Sequence, residues 1–435
     1  MHHFLVAVDA QVVAVGFNSL DERCIAGLDD LAVDEDVDEI RFQVLQDFTV
    51  VGNDQDGIVF IVVLGYRVRY DADGIDVEAR VDFVEHGQFR FEHAHLEDFR
   101  LFPFAAGEAV SVPFAVAGPT SGGIAHIGKD VENGVRMALD EINATKPVIG
   151  GKAVTFKIVA EDDAGDPKQA TAIAQKLCDS KAVAVVGHLQ SGTSIPASRI
   201  YHDCGIPQIT PSATNPDLTK SGYKNVFRLI ANDNQLGAAV AEFAAKKEGV
   251  KTVAIVDDRT AFGQGLAAVF KQVAEKNGLQ VVAHEFTSDK AVDFMPILTS
   301  IKTKKPDAIL FGGLDSQAGP MLRQMQQLGM KGVKLFGGDA ICTEKLPELA
   351  AQSATVEDVV CATGGSAVSK LKGGDTWLKR YEEKFPKEFQ MYSPYSYAAT
   401  YVLVEAMKQA DSTDPKVYLS KLAALNYEGL TGAVR

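Results

Sequence analysis

From residue 109 onward, short runs rich in β-branched residues alternate with amphipathic helical patterns, and this alternation constrains the fold most strongly. Val110–Ala117 predicts a strand. The helix predicted after it carries its apolar residues on one face, at Val131, Val135, Ala138 and Ile142. Alternation of this kind is typical of βαβ units, and so of a mainly parallel sheet covered by helices.

The alternation occurs in two successive sets, which predicts two doubly wound, Rossmann-like α/β domains. The strands predicted in the first set are Val110–Ala117, Val154–Ala160, Val183–Gly187 and Pro207–Thr210. Those of the second set are Thr252–Asp257, Gln280–Phe286, Ala308–Phe311, Lys334–Gly337 and Asp358–Ala362. The remaining chain predicts mostly helices, at Asp375–Phe385, Tyr395–Ala410 and Pro415–Leu425. No run of 18 apolar residues occurs, so we expect no membrane-spanning helix.

Residues 1–108 differ in composition from the rest of the chain. They contain 23 Asp and Glu, 7 Arg and no Lys, for a net charge of −16, whereas the whole chain carries −15. The remaining body is thus close to neutral, and nothing in it favours a nucleic-acid partner. Two interpretations of this atypical segment stay open: an acidic β-rich domain, with a strand-like run at 58–64, or sequence from a wrong start upstream of the true gene. We favour the second. His86, His93 and His95 do not have the spacing of a compact metal site, so no metal is expected.

The loops after the predicted strands are where a doubly wound sheet binds its ligands. They contain neither a nucleophile–base–acid set nor a Gly-Lys-Ser/Thr phosphate loop. Gly263-Gln264-Gly265 resembles part of a dinucleotide fingerprint, but five residues separate it from its strand, and its helix is expected to begin near Gly265. We therefore expect no cofactor and no enzymatic activity. An enzyme that binds a nucleotide at Gly263 stays as one alternative.

Hydroxyl groups cluster in two of these loops, each of which precedes a predicted helix. The residues concerned are Gln190, Ser191, Gly192, Thr193, Ser194, Ser212, Ala213 and Thr214. Hydroxyls and free backbone N–H groups at helix N-termini can bind a small carboxylate. Simple helix capping explains the same residues, so the cluster alone leaves both interpretations open.

Several motifs in order resemble the leucine/isoleucine/valine-binding protein family, the substrate-binding components of branched-chain amino acid ABC importers. The motifs are Gly118-Pro119-Thr120-Ser121-Gly122, Asp162-Asp163-Ala164-Gly165-Asp166-Pro167, Gly187-His188-Leu189, Ile209-Thr210-Pro211-Ser212-Ala213-Thr214-Asn215-Pro216 and Phe262-Gly263-Gln264-Gly265. The resemblance runs from about residue 110 to the end. It implies a type I periplasmic binding fold, with lobe I at 109–231 plus 364–435, lobe II at 232–363 and crossover segments between them.

The resemblance also implies a function. The chain would be a monomeric, periplasmic binding protein that closes on a free amino acid, most simply Leu, Ile or Val, and delivers it to a membrane permease. A sensory or regulatory domain of the same fold, responsive to an amide or another small molecule, is the alternative. The family begins with a signal peptide, which is not recognisable before residue 110, and continues past a segment like Leu430–Val434. We therefore expect a misannotated or truncated product of a periplasmic parent.

By position in the family motifs, Ser191 and Thr214 would bind the ligand carboxylate. The Ser212 carbonyl and the Thr214 hydroxyl would face its ammonium, which Asp339 in Phe336-Gly337-Gly338-Asp339 would neutralise. The side-chain pocket would be formed by Ile127, Phe262, Leu314 and Tyr392. Three of these replace Tyr residues frequent in leucine-type members, so the pocket favours an apolar ligand side chain.

Four of the five cysteines lie in the binding body. The family disulfide is absent, because Gly165 and Gln190 occupy its positions. Cys342 and Cys361 could instead close a loop worth about 3 kcal/mol, and Cys178 and Cys204 could pair with each other. Free buried thiols are the alternative.

Overall fold

The computed structural model describes residues 46–48, 61–71, 74–85, 88–92 and 109–434, and the chain forms two units, Met1–Ala105 and Ala106–Arg435. In the first unit, four strands form an antiparallel sheet in the order β1-β2-β3-β4. They are β1 (Gln46–Phe48), β2 (Ile61–Asp71), β3 (Gly74–Glu85) and β4 (Gln88–Glu92). The predicted run at 58–64 overlaps β2. His86, His93 and His95 lie outside the described residues, so the expectation about them stays untested.

The second unit begins with a six-stranded sheet in the order β10-β9-β8-β5-β7-β6, parallel except for β6. Its strands are β5 (Val110–Gly118), β6 (Val148–Ile149), β7 (Lys152–Asp162), β8 (Val185–Gly187), β9 (Gln208–Thr210) and β10 (Val226–Arg228). The helices that follow these strands are α1 (Ala125–Ala144), α2 (Pro167–Asp179), α3 (Ser191–Cys204) and α4 (Asp217–Lys220). Asp166 caps α2, since its carboxylate accepts from the N–H groups of Lys168 and Gln169.

A five-stranded parallel sheet follows, in the order β12-β11-β13-β14-β15. Its strands are β11 (Thr252–Asp257), β12 (Gln280–Phe286), β13 (Ala308–Gly312), β14 (Lys334–Gly337) and β15 (Val359–Cys361). Its helices are α5 (Asp233–Lys246), α6 (Ala261–Lys276), α7 (Met295–Thr303), α8 (Asp315–Gln327) and α9 (Leu346–Leu349), and short 3₁₀ turns lie at Asp339–Ile341 and Ala354–Asp358. Below, lobe II means this sheet with its helices.

The C-terminal part of the chain returns to the six-stranded sheet, and together they are called lobe I below. It contains a 3₁₀ turn at Val368–Lys370, then α10 (Gly374–Lys384), α11 (Ser393–Gln409), α12 (Pro415–Ala423) and the hairpin β16 (Tyr427–Gly429)–β17 (Gly432–Val434). Val402 and Leu403 of α11 share a hydrophobic core with Phe114 of β5 and Val135 of α1. None of the helices in the described part of the chain is long and apolar enough to cross a membrane.

Two helix starts differ from the expected ones. Helix α6 begins at Ala261, four residues before Gly265, because the Thr260 hydroxyl accepts from the Gly263 N–H and caps the first turn. Helix α3 begins at Ser191, so Ser191–Ser194 form its first turn and do not precede it. Both changes move polar groups from a loop into a helix N-terminus.

Candidate functional site

A cavity lies between lobe I and lobe II, at the carboxyl ends of both sets of parallel strands. In each sheet the strand order reverses beside the first strand, between β5 and β8 and between β11 and β13, which is where doubly wound sheets bind ligands. All ten predicted site residues line this cavity: Ile127, Gln190, Ser191, Ser212, Ala213, Thr214, Phe262, Leu314, Asp339 and Tyr392. Leu189 and Ala340 also line it and were not predicted.

Lobe I contributes the hydroxyl groups of the cavity. Helix α3 has no side-chain cap, and its first N–H groups, those of Ser191 and Gly192, precede the first helical hydrogen bonds, which Thr193 and Ser194 donate to the Gln190 carbonyl. The Ser191 Oγ accepts from the Asn215 N–H at 3.1 Å, which leaves its own proton available. The Ser212 hydroxyl is used internally, since it donates to the Leu189 carbonyl at 2.7 Å. The buried Thr214 Oγ1 has no hydrogen-bond partner among the residues described. This side of the cavity therefore offers hydroxyl and N–H donors to an anionic group.

Lobe II contributes one carboxylate, that of Asp339, which starts the 3₁₀ turn directly after β14. Only 1% of Asp339 is exposed, and its Oδ1 accepts from the Ala340 N–H at 3.1 Å. Its Oδ2 is buried and finds no partner within residues 109–434. The pKa of Asp339 is raised to about 7, mainly by burial and also by the Asp233 carboxylate, and the Tyr392 hydroxyl partly opposes the rise. A cation in the cavity would supply the missing partner.

Asp233 is a second buried carboxylate near the cavity, and sequence reasoning missed it. Neither of its oxygens has a partner in the described part of the chain. Burial raises its pKa to about 6, against the effect of the Thr214 hydroxyl and of Arg228. Arg228 in turn donates to the carbonyls of Ala213 and Asn215, at 2.7 and 2.5 Å. In the sequence Asp233 lies in none of the predicted strands, helices or loop motifs, so no local signal marks it.

The rest of the cavity wall is apolar. Its members are Ile127, Leu189, Phe262, Leu314 and Ala340, with the ring of Tyr392. Phe262, Leu314 and Ala340 belong to one buried hydrophobic cluster of lobe II, against which Ile124 of lobe I packs. A wall of this composition accommodates an aliphatic or aromatic side chain and offers a polar one little hydrogen bonding.

Gly263 packs helix α6 tightly against the sheet. A Cβ atom at this position would collide with the Asp258 carboxylate and with the Gly312 carbonyl at the end of β13. The glycine is therefore explained by close helix–strand packing, without a nucleotide. No cluster of side chains that could bind a metal ion occurs among the described residues.

Both candidate cysteine pairs are bonded. Cys178 of α2 is joined to Cys204 at the end of α3 within lobe I, with a Cα–Cα distance of 6.1 Å. Cys342, directly after the 3₁₀ turn of Asp339, is joined to Cys361 at the end of β15, with a Cα–Cα distance of 5.8 Å. The second disulfide thus attaches the segment that carries Asp339 to the last strand of lobe II.

Comparison with known proteins agrees with this geometry. The profile of the periplasmic binding protein family matches residues 111–435. An amino acid binding protein of Pseudomonas aeruginosa is 35% identical over 308 residues, which cover 70% of this chain and 80% of that protein. The leucine-, isoleucine-, valine-, threonine- and alanine-binding protein of the same organism is 30% identical, over 74% of this chain and 85% of its own length.

Among solved structures, the branched-chain amino acid transporter substrate-binding protein LivJ of Streptococcus pneumoniae, in complex with isoleucine, superposes with a TM-score of 0.67. It is 27% identical and covers 75% of this chain and 91% of its own. The expected type I periplasmic binding fold is therefore confirmed. The chain belongs to the leucine/isoleucine/valine-binding protein family of periplasmic binding proteins.

Proposed function

We propose that the protein binds a free amino acid, most simply Leu, Ile or Val, between its two lobes and delivers it to the permease of an ABC importer. The observation that carries this proposal is the cavity itself. It combines N–H and hydroxyl donors of lobe I, a buried carboxylate of lobe II with a free oxygen, and an apolar wall. These three features complement the carboxylate, the ammonium and the side chain of an apolar amino acid.

In this proposal Ser191 and Thr214 bind the ligand carboxylate and Asp339 binds the ammonium, with the Ser212 carbonyl and the Thr214 hydroxyl facing the same group. Ile127, Phe262, Leu314 and Tyr392 surround the side chain. Ala213 and Gln190 complete the lobe I wall. Lobe I alone gives the ammonium no charged partner, because Asp339 belongs to lobe II, so closure completes the site, and the ligand in turn stabilises the closed state that a permease would recognise.

The lobe boundaries belong to the same proposal: 109–231 plus 364–435 for lobe I and 232–363 for lobe II. The two crossover segments run side by side where the Ala231 N–H donates to the Gly364 carbonyl at 2.8 Å. Paired segments of this kind can act as a hinge, because bending there leaves the helices and strands of both lobes intact. The family implies a periplasmic protein, and we propose a monomer without cofactor or catalytic activity.

Isothermal titration of the full chain with a ligand panel tests the proposal. The panel contains Leu, Ile, Val, Ala, Thr, Phe, Glu and Lys, together with acetamide and benzoate as ligands that lack one or both charges of an amino acid. We expect the tightest binding for Leu, Ile or Val and none for Glu or Lys, because the wall offers no partner for a second charge. Tighter binding of acetamide or benzoate than of every amino acid would contradict the proposal.

A further inference from the structure

His126 of lobe I and Asp315 of lobe II contact each other across the cleft. His126 is the second residue of α1, Asp315 is the first residue of α8, and the His126 Nε2 lies 2.7 Å from the Asp315 Oδ2. We propose that this pair is a latch that stabilises the closed state and slows the departure of the bound amino acid. The proposal rests on the function proposed above, but one of its tests needs no ligand.

The surroundings of Asp315 show why closure needs the histidine. Asp315 is fully buried, and the Thr343 hydroxyl donates to the same Oδ2 at 2.5 Å, whereas Oδ1 has no partner in the described structure. If the lobes separate, water can solvate this carboxylate at the N-terminus of α8. Closure removes that water. The His126 N–H must then replace the water as hydrogen-bond donor, because burying the Asp315 carboxylate without a donor costs free energy. Both the imidazolium and the neutral tautomer with a proton on Nε2 supply this donor.

The latch is adjacent to the ligand site without being part of it. Ile127 directly follows His126, and Leu314 directly precedes Asp315, and both line the cavity. His126 and Asp315 themselves do not line it. Residues of the latch can therefore be replaced without removing a ligand contact. A second hydrogen bond joins the two lobes elsewhere in the cleft, where the Asn215 amide donates to the Ala261 carbonyl at 2.6 Å.

A contact that exists only in the closed state shifts the equilibrium between open and closed molecules. The apparent affinity for the ligand changes by the same factor as that equilibrium, provided that the closed state is the minor state without ligand. Because the contact must break before the ligand leaves, its loss should appear mainly in the dissociation rate. A wall residue of the cavity would instead alter the preference among ligands.

The decisive comparison is His126→Ala against His284→Ala. His284 makes an equivalent pair with Asp257, at 2.9 Å, but both residues lie on neighbouring strands inside lobe II. We expect His126→Ala to raise the Kd for L-leucine about tenfold, mainly through faster dissociation, and His284→Ala to leave it within about twofold. His126→Gln, whose amide nitrogen can replace Nε2, should recover part of the loss. A double-mutant cycle with Asp315→Asn should show non-additive effects.

The test without ligand measures the distance between the lobes by fluorescence energy transfer. Dyes are attached at the exposed positions Lys152→Cys and Lys304→Cys in a Cys24→Ser background. We expect a smaller closed fraction for His126→Ala than for the wild type and for His284→Ala. Equal closed fractions in all three proteins would overturn the latch. If the wild type binds no amino acid, the proposed function fails while this measurement still decides the latch.

Discussion

Three buried carboxylates lie at the cleft, and they differ in the hydrogen bonds that they accept. Asp315 receives two donors, from His126 and Thr343. Asp339 receives one backbone N–H, and Asp233 receives none from the described residues. Asp339 alone of the three lines the cavity. A ligand ammonium would therefore relieve the burial of Asp339 most directly, with Asp233 adding negative potential behind it.

Replacing Asp339 by Ala should weaken binding of L-leucine at least about tenfold, because a charge-assisted hydrogen bond to the ammonium is lost. Titration calorimetry measures the change. Glu344→Ala is the matched control, since Glu344 is an exposed carboxylate only five residues further along the same segment. Unchanged affinity in Asp339→Ala, or an equal loss in Glu344→Ala, would show that Asp339 does not bind the ligand.

The raised pKa of Asp339 makes affinity depend on pH. With this pKa at about 7, the carboxyl is charged above neutrality and becomes protonated as the pH falls. The charged form binds the ammonium, so the Kd should be level above about pH 8 and rise below pH 7, by up to about tenfold per pH unit. Titrations between about pH 5 and pH 9 measure this. In Asp339→Ala the rise should be much smaller, and a full rise in that variant would assign the effect to another group.

At the scale of helices and strands, buried periodic runs were predictable and capped or irregular segments were not. β11, β12 and β14 have the predicted bounds, and in β11 a continuous buried apolar run between turn residues admits little shift. β6, β10 and α5 were not predicted. Gly263 and Gly265 suggested a loop, yet they lie in α6, where close packing overrides their low helix propensity.

The ten cavity residues could be predicted from motif positions, whereas Asp233, His126 and Asp315 could not. The family motifs lie in loops that follow strands, and the topology of the fold brings those loops together. The burial of Asp233 and the contact between His126 and Asp315 depend on how two lobes meet. A contact between two lobes produces no periodic pattern within the sequence of either segment.

The Cys342–Cys361 disulfide should affect ligand binding as well as stability. Replacing both residues by Ser frees the segment of Asp339, whose carbonyl accepts from the Cys342 N–H at 2.8 Å. We expect a lower free energy of unfolding, by about 3 kcal/mol, and a Kd raised several-fold. Cys178→Ser with Cys204→Ser is the control, because it opens a disulfide away from the cavity. It should lower the melting temperature alone, and a similar Kd in both variants would refute a positioning role.

At the scale of the whole molecule, recognition depends on a few groups from two lobes. Residues 109–435 are close to neutral in net charge, so a global field cannot concentrate an ionic ligand there. The acidic charge of the chain resides in residues 1–108. Selectivity must then come from the lobe I donors, the Asp339 carboxylate and the apolar wall, which act together only in the closed form.

The most direct test of this account is a titration of the full chain with L-leucine and with 4-methylpentanoate, which has the same carboxylate and side chain but no ammonium. We predict that L-leucine binds and that 4-methylpentanoate binds at least about a hundredfold more weakly, because a buried Asp339 is then left without its cation. Equal or tighter binding of 4-methylpentanoate would show that the cavity does not recognise a free amino acid.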